Sequence, residues 1–201
     1  MGTGTRVERD LRLVHPAPSA RRQIAPSEVI GTMFFILTEI MLFGGFISAF
    51  TISRTQAPAW PPPGQPRLPV ELTAVNGLVL LASGALVWWA GRRFDQQGPG
   101  SARVPLLVGT ALGATFVGVQ GFEWVRLVAE GLSFTGSTYG AFFFLIVGAH
   151  GLHVLGGLAV LVAQTRWLLV EQLRPEAFWA GRLFWYFVVL LWPALYWKVY
   201  L

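Results

Sequence analysis

Three ionisable side chains stand in otherwise apolar surroundings. Glu39 interrupts the run Val29–Phe50, VIGTMFFILTEIMLFGGFISAF, near its centre. His150 and His153 lie in the middle of AFFFLIVGAHGLHVLGG, residues 141–157, and from Thr138 to Thr165 there is no Asp, Glu, Lys or Arg. Two imidazoles three residues apart share a helix face. If both runs are membrane spans, all three groups sit at similar depth. A lone carboxylate there must be protonated, paired or beside water. A neutral imidazole donates from one nitrogen and accepts at the other, so a Glu39–histidine hydrogen bond would satisfy both partners. The plainest use of such a bond is to lock span one to span four. A place near a proton pathway and the anchoring of a lipid are the functional alternatives.

Metal and haem chemistry fit these residues poorly. A His-x-x-His pair offers two neutral ligands and Glu39 a third, with nothing else ionisable at that depth. Haem held across a helix pair needs histidines on different helices, and the remaining one, His15, lies in a polar tail. The absence of cysteine excludes iron–sulfur clusters, thiolate-bound copper or zinc, and a Cys nucleophile. There is no Ser/His/Asp arrangement, no phosphate-binding glycine loop and no pair of intramembrane carboxylates. No catalytic residue, metal site or bound cofactor is expected of this chain. Elsewhere Glu123 and Arg126, three apart at the end of the third span, should form a local ion pair. Glu71 sits at the start of the second, where a helix N-terminus favours negative charge.

The elements that must position these groups follow from composition. The chain has 201 residues, 54% hydrophobic and only 12% charged, with nine Trp and fifteen Phe. A soluble domain carries about 25% charged residues, so the membrane class is the starting point. The fold class is all-α, a polytopic membrane bundle of five transmembrane helices over residues 27–201. Spans are expected at about 29–50, 72–91, 104–125, 138–165 and 178–200, each reaching or exceeding the roughly 20 residues a bilayer requires. Residues 1–26 read as a flexible Arg-rich tail, and span one as a retained signal anchor, being too long for a signal-peptide core. Trp60-Pro61-Pro62-Pro63-Gly64 excludes a continuing helix after it. Pro105 falls in the first turn of span three, and Pro193 should kink span five or loosen its last turns.

The net charge of +5 rests on arginine, with Lys198 the sole lysine. In a membrane protein such an excess reports topology rather than nucleic-acid binding. Eleven basic residues fall in the tail and in the two loops on its side, at 91–103 and 166–182. Four (Arg54, Arg67, Arg126 and Lys198) fall opposite. The N-terminus is therefore expected in the cytoplasm and the C-terminus outside. Trp88, Trp89, Trp124, Trp167 and Trp197 lie near span ends, where interfacial tryptophans belong. Gly44-Gly45, Gly109, Gly113, Gly148, Gly151 and Gly156-Gly157 are expected to allow close helix packing.

Several strings, in order, resemble one family. Thr38-Glu39-Ile40-Met41-Leu42-Phe43 is similar to the SEVMFF-type segment of subunit III of the haem–copper oxidases. Trp60–Gly64, Pro69-Val70-Glu71-Leu72, Asn76 and Leu80–Gly84 resemble its following loop and helix. Gln120-Gly121-Phe122-Glu123-Trp124 is similar to its QxxEY segment. Tyr139-Gly140, Phe143-Phe144 and Gly148–Val154 resemble YGSxFF…GFHGLHV, and Phe184-Trp185-Tyr186-Phe187-Val188 through Trp192 resembles WHFVDVVW. The likeness runs from about residue 27 to the end. Two positions depart from it: Tyr186 stands where the family often has His, and Val189 where it often has Asp.

The resemblance implies a five-helix form equivalent to the last five helices of a seven-helix version. It implies a non-catalytic subunit III of a respiratory terminal oxidase in the bacterial plasma membrane. Such a subunit packs on the catalytic haem–copper subunit I, with subunit II as a further partner. It also binds phospholipid and supports proton uptake during turnover. Haem and copper then reside in the partner subunits, because the catalytic subunit needs six histidines and the dinuclear copper site two cysteines. Glu39 carries over as the family's intramembrane glutamate, and His150 and His153 as its HGLH pair. Within the family, a quinol oxidase or an accessory protein of nitric oxide reductase are the alternatives. Outside it, the rivals are a small proton or solute transporter and a membrane enzyme holding metal through His150 and His153.

Overall fold

The computed structural model describes residues 26–201, so the expected Arg-rich tail, with His15, lies outside the described residues except for Pro26. Five α-helices follow one another: α1 (Ser27–Gln56), α2 (Val70–Gln97), α3 (Pro99–Ala129), α4 (Thr138–Leu169) and α5 (Pro175–Val199). Each is long and apolar enough to cross a membrane. The helices overrun the expected spans at most ends, because apolar periodicity reports the hydrocarbon-facing part while the helix continues through polar and Arg-bearing residues beyond it.

The clearest difference lies between the second and third helices. The stretch 91–103 reads as a loop in the sequence, yet α2 and α3 are separated by Gly98 alone, at φ +89°. Glycine enters that backbone region without a Cβ penalty, and Pro99 then occupies the first turn of α3, where its missing N–H is harmless. Pro105 is therefore inside α3 rather than in its first turn. Pro193 lies within α5, which continues to Val199. The Ser137 Oγ caps α4 by accepting from the Gly140 N–H at 3.0 Å. At the end of α3, the Leu132 N–H reaches the Leu127 carbonyl, with Gly131 at φ +99°, a Schellman closure. The end of α4 repeats it with Glu171 in the left-handed position, φ +59°, and the Gln172 N–H on the Trp167 carbonyl.

Cross-links fix the directions of the helices. Thr73 near the start of α2 meets Glu123 near the end of α3, and Thr110 of α3 meets Thr165 of α4. Asp95 near the end of α2 meets Arg182 near the start of α5. Neighbours in sequence are thus antiparallel. One end of the bundle carries the 57–69 and 130–137 connections and Tyr200, and is called here the loop end. Helix α5 is central, touching α1, α2 and α4. Its Trp185 is fully buried and donates to Ser83 Oγ at 3.2 Å, and Ser83 in turn donates to the Gly109 carbonyl at 2.7 Å. A Cβ at Gly113 or Gly157 would stand 2.9 Å from the Trp185 ring. Glycines on α3 and α4 therefore admit one indole that also bonds α2.

The expected close-packing role holds at Gly109, Gly113, Gly148, Gly151 and Gly157, which all face side chains. A Cβ at Gly44, Gly45 or Gly156 would meet nothing within 4 Å. Trp88, Trp89, Trp167 and Trp197 are exposed, whereas Trp124 turns inward onto Phe143 and Phe144.

Helix α1 is the least covered. Its buried residues are Val29, Phe43 and Phe50, and Met33, Phe34, Leu37, Ile40 and Met41 face outward. Three polar contacts attach it. Glu28 Oε1 accepts from Arg174 at 3.0 Å at one end, Arg54 donates to the Leu201 carbonyl at 3.1 Å at the other, and Glu39 is held between them.

Candidate functional site

The structure brings Glu39 and His153 together. The carboxyl Oε2 lies 3.0 Å from His153 Nε2, with both side chains largely buried. The ring is fixed from its other side, where Nδ1 lies 2.7 Å from the Ala149 carbonyl one turn back. A carbonyl oxygen only accepts, so Nδ1 carries a hydrogen. Nε2 then either accepts from a protonated Glu39 or donates, as part of an imidazolium, to an ionised one. In both arrangements a single proton is shared between Nε2 and the carboxyl, and the pair is neutral overall. The contact lies off the line of an ideal N–H bond, so Oε2 lacks a well-aligned donor. Phe35 and Phe43 from α1 and Phe184 from α5 surround the imidazole at centroid distances of 6.3, 5.5 and 6.3 Å. These rings keep the pair in an apolar sleeve, which strengthens its electrostatics.

His150 does not join this pair, which corrects the expected cluster of three. Its ring is 1% exposed and stacks on Trp192 at 5.0 Å with an interplanar angle of 20°. Neither of its nitrogens has a hydrogen-bond partner. Three residues along a helix amount to about 60° of rotation. In this bundle that offset separates a side facing α1, where His153 points, from a side facing Trp192 of α5. Among the described residues no three His, Cys, Asp or Glu side chains converge as metal ligands. With the imidazoles divided between two neighbours, the donor set of His150, His153 and Glu39 does not fit a metal.

The expected Glu123–Arg126 ion pair is also corrected. Arg126 Nε donates to Glu130 Oε1 at 2.9 Å, both side chains being substantially exposed. Glu123 turns inward, 2% exposed. Its Oε2 accepts from Thr73 Oγ1 at 3.0 Å and Gln120 Nε2 at 3.4 Å. Arg126 stays within electrostatic reach of Glu123. The spacing i,i+4 lets the longer side chains meet along the exposed face, and the buried carboxyl takes neutral donors that need no charge in the core.

Three features escaped the sequence reading. Arg182 is 5% exposed, stacks on Phe178 at 4.5 Å and donates to Asp95 Oδ2 at 3.4 Å. It fits only because Gly91 has no side chain: a Cβ there would overlap the guanidinium. Gln164 is buried and donates to the Ala177 carbonyl at 2.8 Å, against Gly181. Tyr200, just past α5, is 8% exposed. The only sequence signal for these was a polar residue beside an apolar run, which does not say what it faces. Of the two departures from the family pattern, Val189 is buried against Gly84, whose added Cβ would come 2.8 Å from it, while Tyr186 is half-buried against the core.

Comparison with known proteins points to one family. The family model described as cytochrome c oxidase subunit III matches residues 22–201. A probable cytochrome c oxidase subunit 3 of Nocardia farcinica is 32% identical over 177 residues, covering 85% of this chain and 86% of that protein. The cytochrome c oxidase subunit 3 of Pelomedusa subrufa is 31% identical, covering 92% and 72%. That of Lumbricus terrestris is 35% identical, covering 85% and 68%.

Proposed function

We propose a function from one premise: the chain belongs to the cytochrome c oxidase subunit III family. It is the subunit III of a haem–copper oxidase, a multi-pass membrane protein that works in a complex with other oxidase subunits. Within that complex it acts as a non-catalytic subunit packed on the haem–copper subunit I, with subunit II as a further partner. Haem and copper stay in those partners, where they carry the electrons to oxygen. Its own residues stabilise the catalytic subunit, hold phospholipid and support proton uptake. The complex resides in a bacterial plasma membrane, with the N-terminus of this subunit in the cytoplasm.

The observation that carries the accessory reading is the Glu39–His153 pair. Among the described residues it is the carboxyl–imidazole contact with both partners in mid-helix, and it ties down α1, whose outer face is free for lipid or a neighbouring subunit. A groove of about 580 Å³ beside it, between α1, α4 and α5, supports the lipid role. Phe35, Trp167 and Phe184 line it, and Glu28 stands at its end. Apolar walls with a few polar groups at one end suit an acyl chain under its headgroup.

Affinity purification of the tagged chain in mild detergent, followed by an optical spectrum and mass identification, tests the reading. Haem together with a six-histidine membrane partner and a copper subunit is the expected outcome. A partner set without the copper subunit would shift the donor from cytochrome c towards quinol. A colourless, partnerless oligomer would sink the proposal. In the purified complex, Glu39→Ala should leave the haem spectrum and initial turnover nearly intact, because on this reading haem and copper belong to the partner subunits. Loss of haem in that variant would count against an accessory role.

A further inference from the structure

Three buried polar atoms at the loop end lack partners and lie close together. Glu123 uses only Oε2, leaving Oε1 without a donor. Gln120 donates from Nε2 to Glu123, leaving its own Oε1 bare. The Tyr200 hydroxyl, just past the end of α5, is also unpartnered. Each residue is more than nine-tenths buried, at 2%, 7% and 8% exposure. The Tyr200 hydroxyl stands close to Glu123, Gln120 and Thr73 without a well-formed hydrogen bond to any of them. An unmade hydrogen bond on a buried group is costly, so three in one place call for a common partner.

Their chemistry specifies it. Glu123 Oε1 and Gln120 Oε1 accept, whereas a phenol hydroxyl can donate. A partner that donates twice and accepts once completes all three, and a water molecule does this with the roughly three bonds usual for internal water. There is room beside the group. A cleft of about 200 Å³ reaches Glu123 between Arg67, Arg126 and Leu72, and one of about 280 Å³ reaches Tyr200 between Arg67, Arg54 and Tyr139. Both open at the loop end, and Arg67 borders each.

We propose that Glu123, Gln120 and Tyr200 form an internal water site, fed from the loop end through the two clefts beside Arg67. The water donates to Glu123 Oε1 and Gln120 Oε1 and accepts from the Tyr200 hydroxyl. It joins α3 to the segment following α5, which no direct side-chain bond between these residues does. It also gives a buried carboxyl an exchangeable contact with solvent at an end of the bundle remote from Glu39. This site depends on the geometry of the chain alone and not on the electron donor or the partner subunits.

The test is hydroxyl-radical labelling by X-ray radiolysis of the complex purified in detergent, together with a high-resolution structure of it. Water at the site generates radicals locally, so Tyr200 should label several-fold faster than Trp185, which is fully buried, bonded to Ser83 and has the more reactive ring. The density should show an ordered water within hydrogen-bond distance of Glu123 Oε1. Glu123→Gln keeps an acceptor oxygen for Thr73 and Gln120 and offers the water an amide N–H in place of Oε1, so it should keep the fast labelling, whereas Glu123→Leu should slow it to the Trp185 rate. Should Glu123→Leu fail to assemble, the wild-type rates and density still decide. Slow labelling of Tyr200 in the wild type, or density in which the three side chains bond one another directly, overturns the proposal.

Discussion

Glu39 and His153 join the least covered helix of the bundle to the helix across from it through one shared proton. Removing either partner leaves the other polar and alone in an apolar sleeve of phenylalanines. Glu39→Leu and His153→Phe should each destabilise the folded subunit, and the double variant should recover part of the loss. Coupling energies between polar side chains within membranes average about 0.6 kcal/mol and reach about 1.7 kcal/mol. The largely buried, neutral pair belongs in the upper part of that range. A double-mutant cycle on detergent unfolding of the complex measures it, and zero coupling would contradict the pairing. The same geometry predicts a protonated Nδ1 on His153, visible in the nitrogen-15 spectrum of the labelled imidazole.

Gly91 should tolerate no side chain. Its Cβ position is already occupied by the Arg182 guanidinium, which cannot retreat without leaving Phe178 and Asp95. Gly91→Val is expected to lose about 1–3 kcal/mol through overpacking, read as a lowered midpoint of thermal unfolding. Gly98→Ala acts differently, since the space around it is open and only its positive φ resists a Cβ. An unchanged midpoint in Gly91→Val would show that Arg182 seats elsewhere.

Two polar contacts a few residues apart on α3 should differ in weight. Arg126→Gln removes an exposed i,i+4 pair, worth about 0.5 kcal/mol or less. Thr73→Val removes a fully buried donor and leaves Glu123 Oε2 with the longer bond from Gln120. The expected loss is about 1–3 kcal/mol, the usual cost of an unsatisfied buried acceptor. Equal effects in the two variants would mean that Glu123 faces solvent.

Glu171 closes α4 with a left-handed backbone that glycine adopts more readily. Its carboxylate also accepts from Arg103 at 2.8 Å, a largely exposed pair. A left-handed residue other than glycine is disfavoured by about 1–2 kcal/mol, and an exposed ion pair contributes about 0–1 kcal/mol. Glu171→Gly should therefore be neutral or slightly stabilising. A marked loss of thermal stability would show that the Arg103 contact carries more than its exposure suggests.

Helix number, approximate spans and family were legible because they depend on runs of apolar residues and on ordered motifs, both properties of the chain alone. The pairing of Glu39 with a histidine was legible too, since equal depth and complementary hydrogen bonding leave few other partners. Which histidine it would be was not. His150 and His153 differ by a rotation of the helix about its axis, and that rotation is fixed by Phe43, Phe184 and Trp192 on neighbouring helices. The spacing allows Arg126 to meet either Glu123 or Glu130, three or four residues away; only the inward turn of Glu123 towards Thr73 decides between them. The α2–α3 junction reads as a loop in the sequence because Arg92, Arg93 and Asp95 end the apolar run, yet charge ends a hydrophobic span without ending a helix.

The polar attachments of α1 have a bearing on how the helix finds its depth. Glu28, Glu39 and Arg54 are spaced about 16 and then about 22 Å along the axis, at 1.5 Å per residue, and each meets a different partner. Between them its surface is nearly uniform in hydropathy, so apolar contact alone would let the helix slide past its neighbours with little resistance. A slip of one turn, about 5.4 Å, would unmake all three contacts together. The three residues act as graduations on a rule: the helix is read as fully inserted only where every mark coincides with its counterpart on α4 or at the two ends of α5.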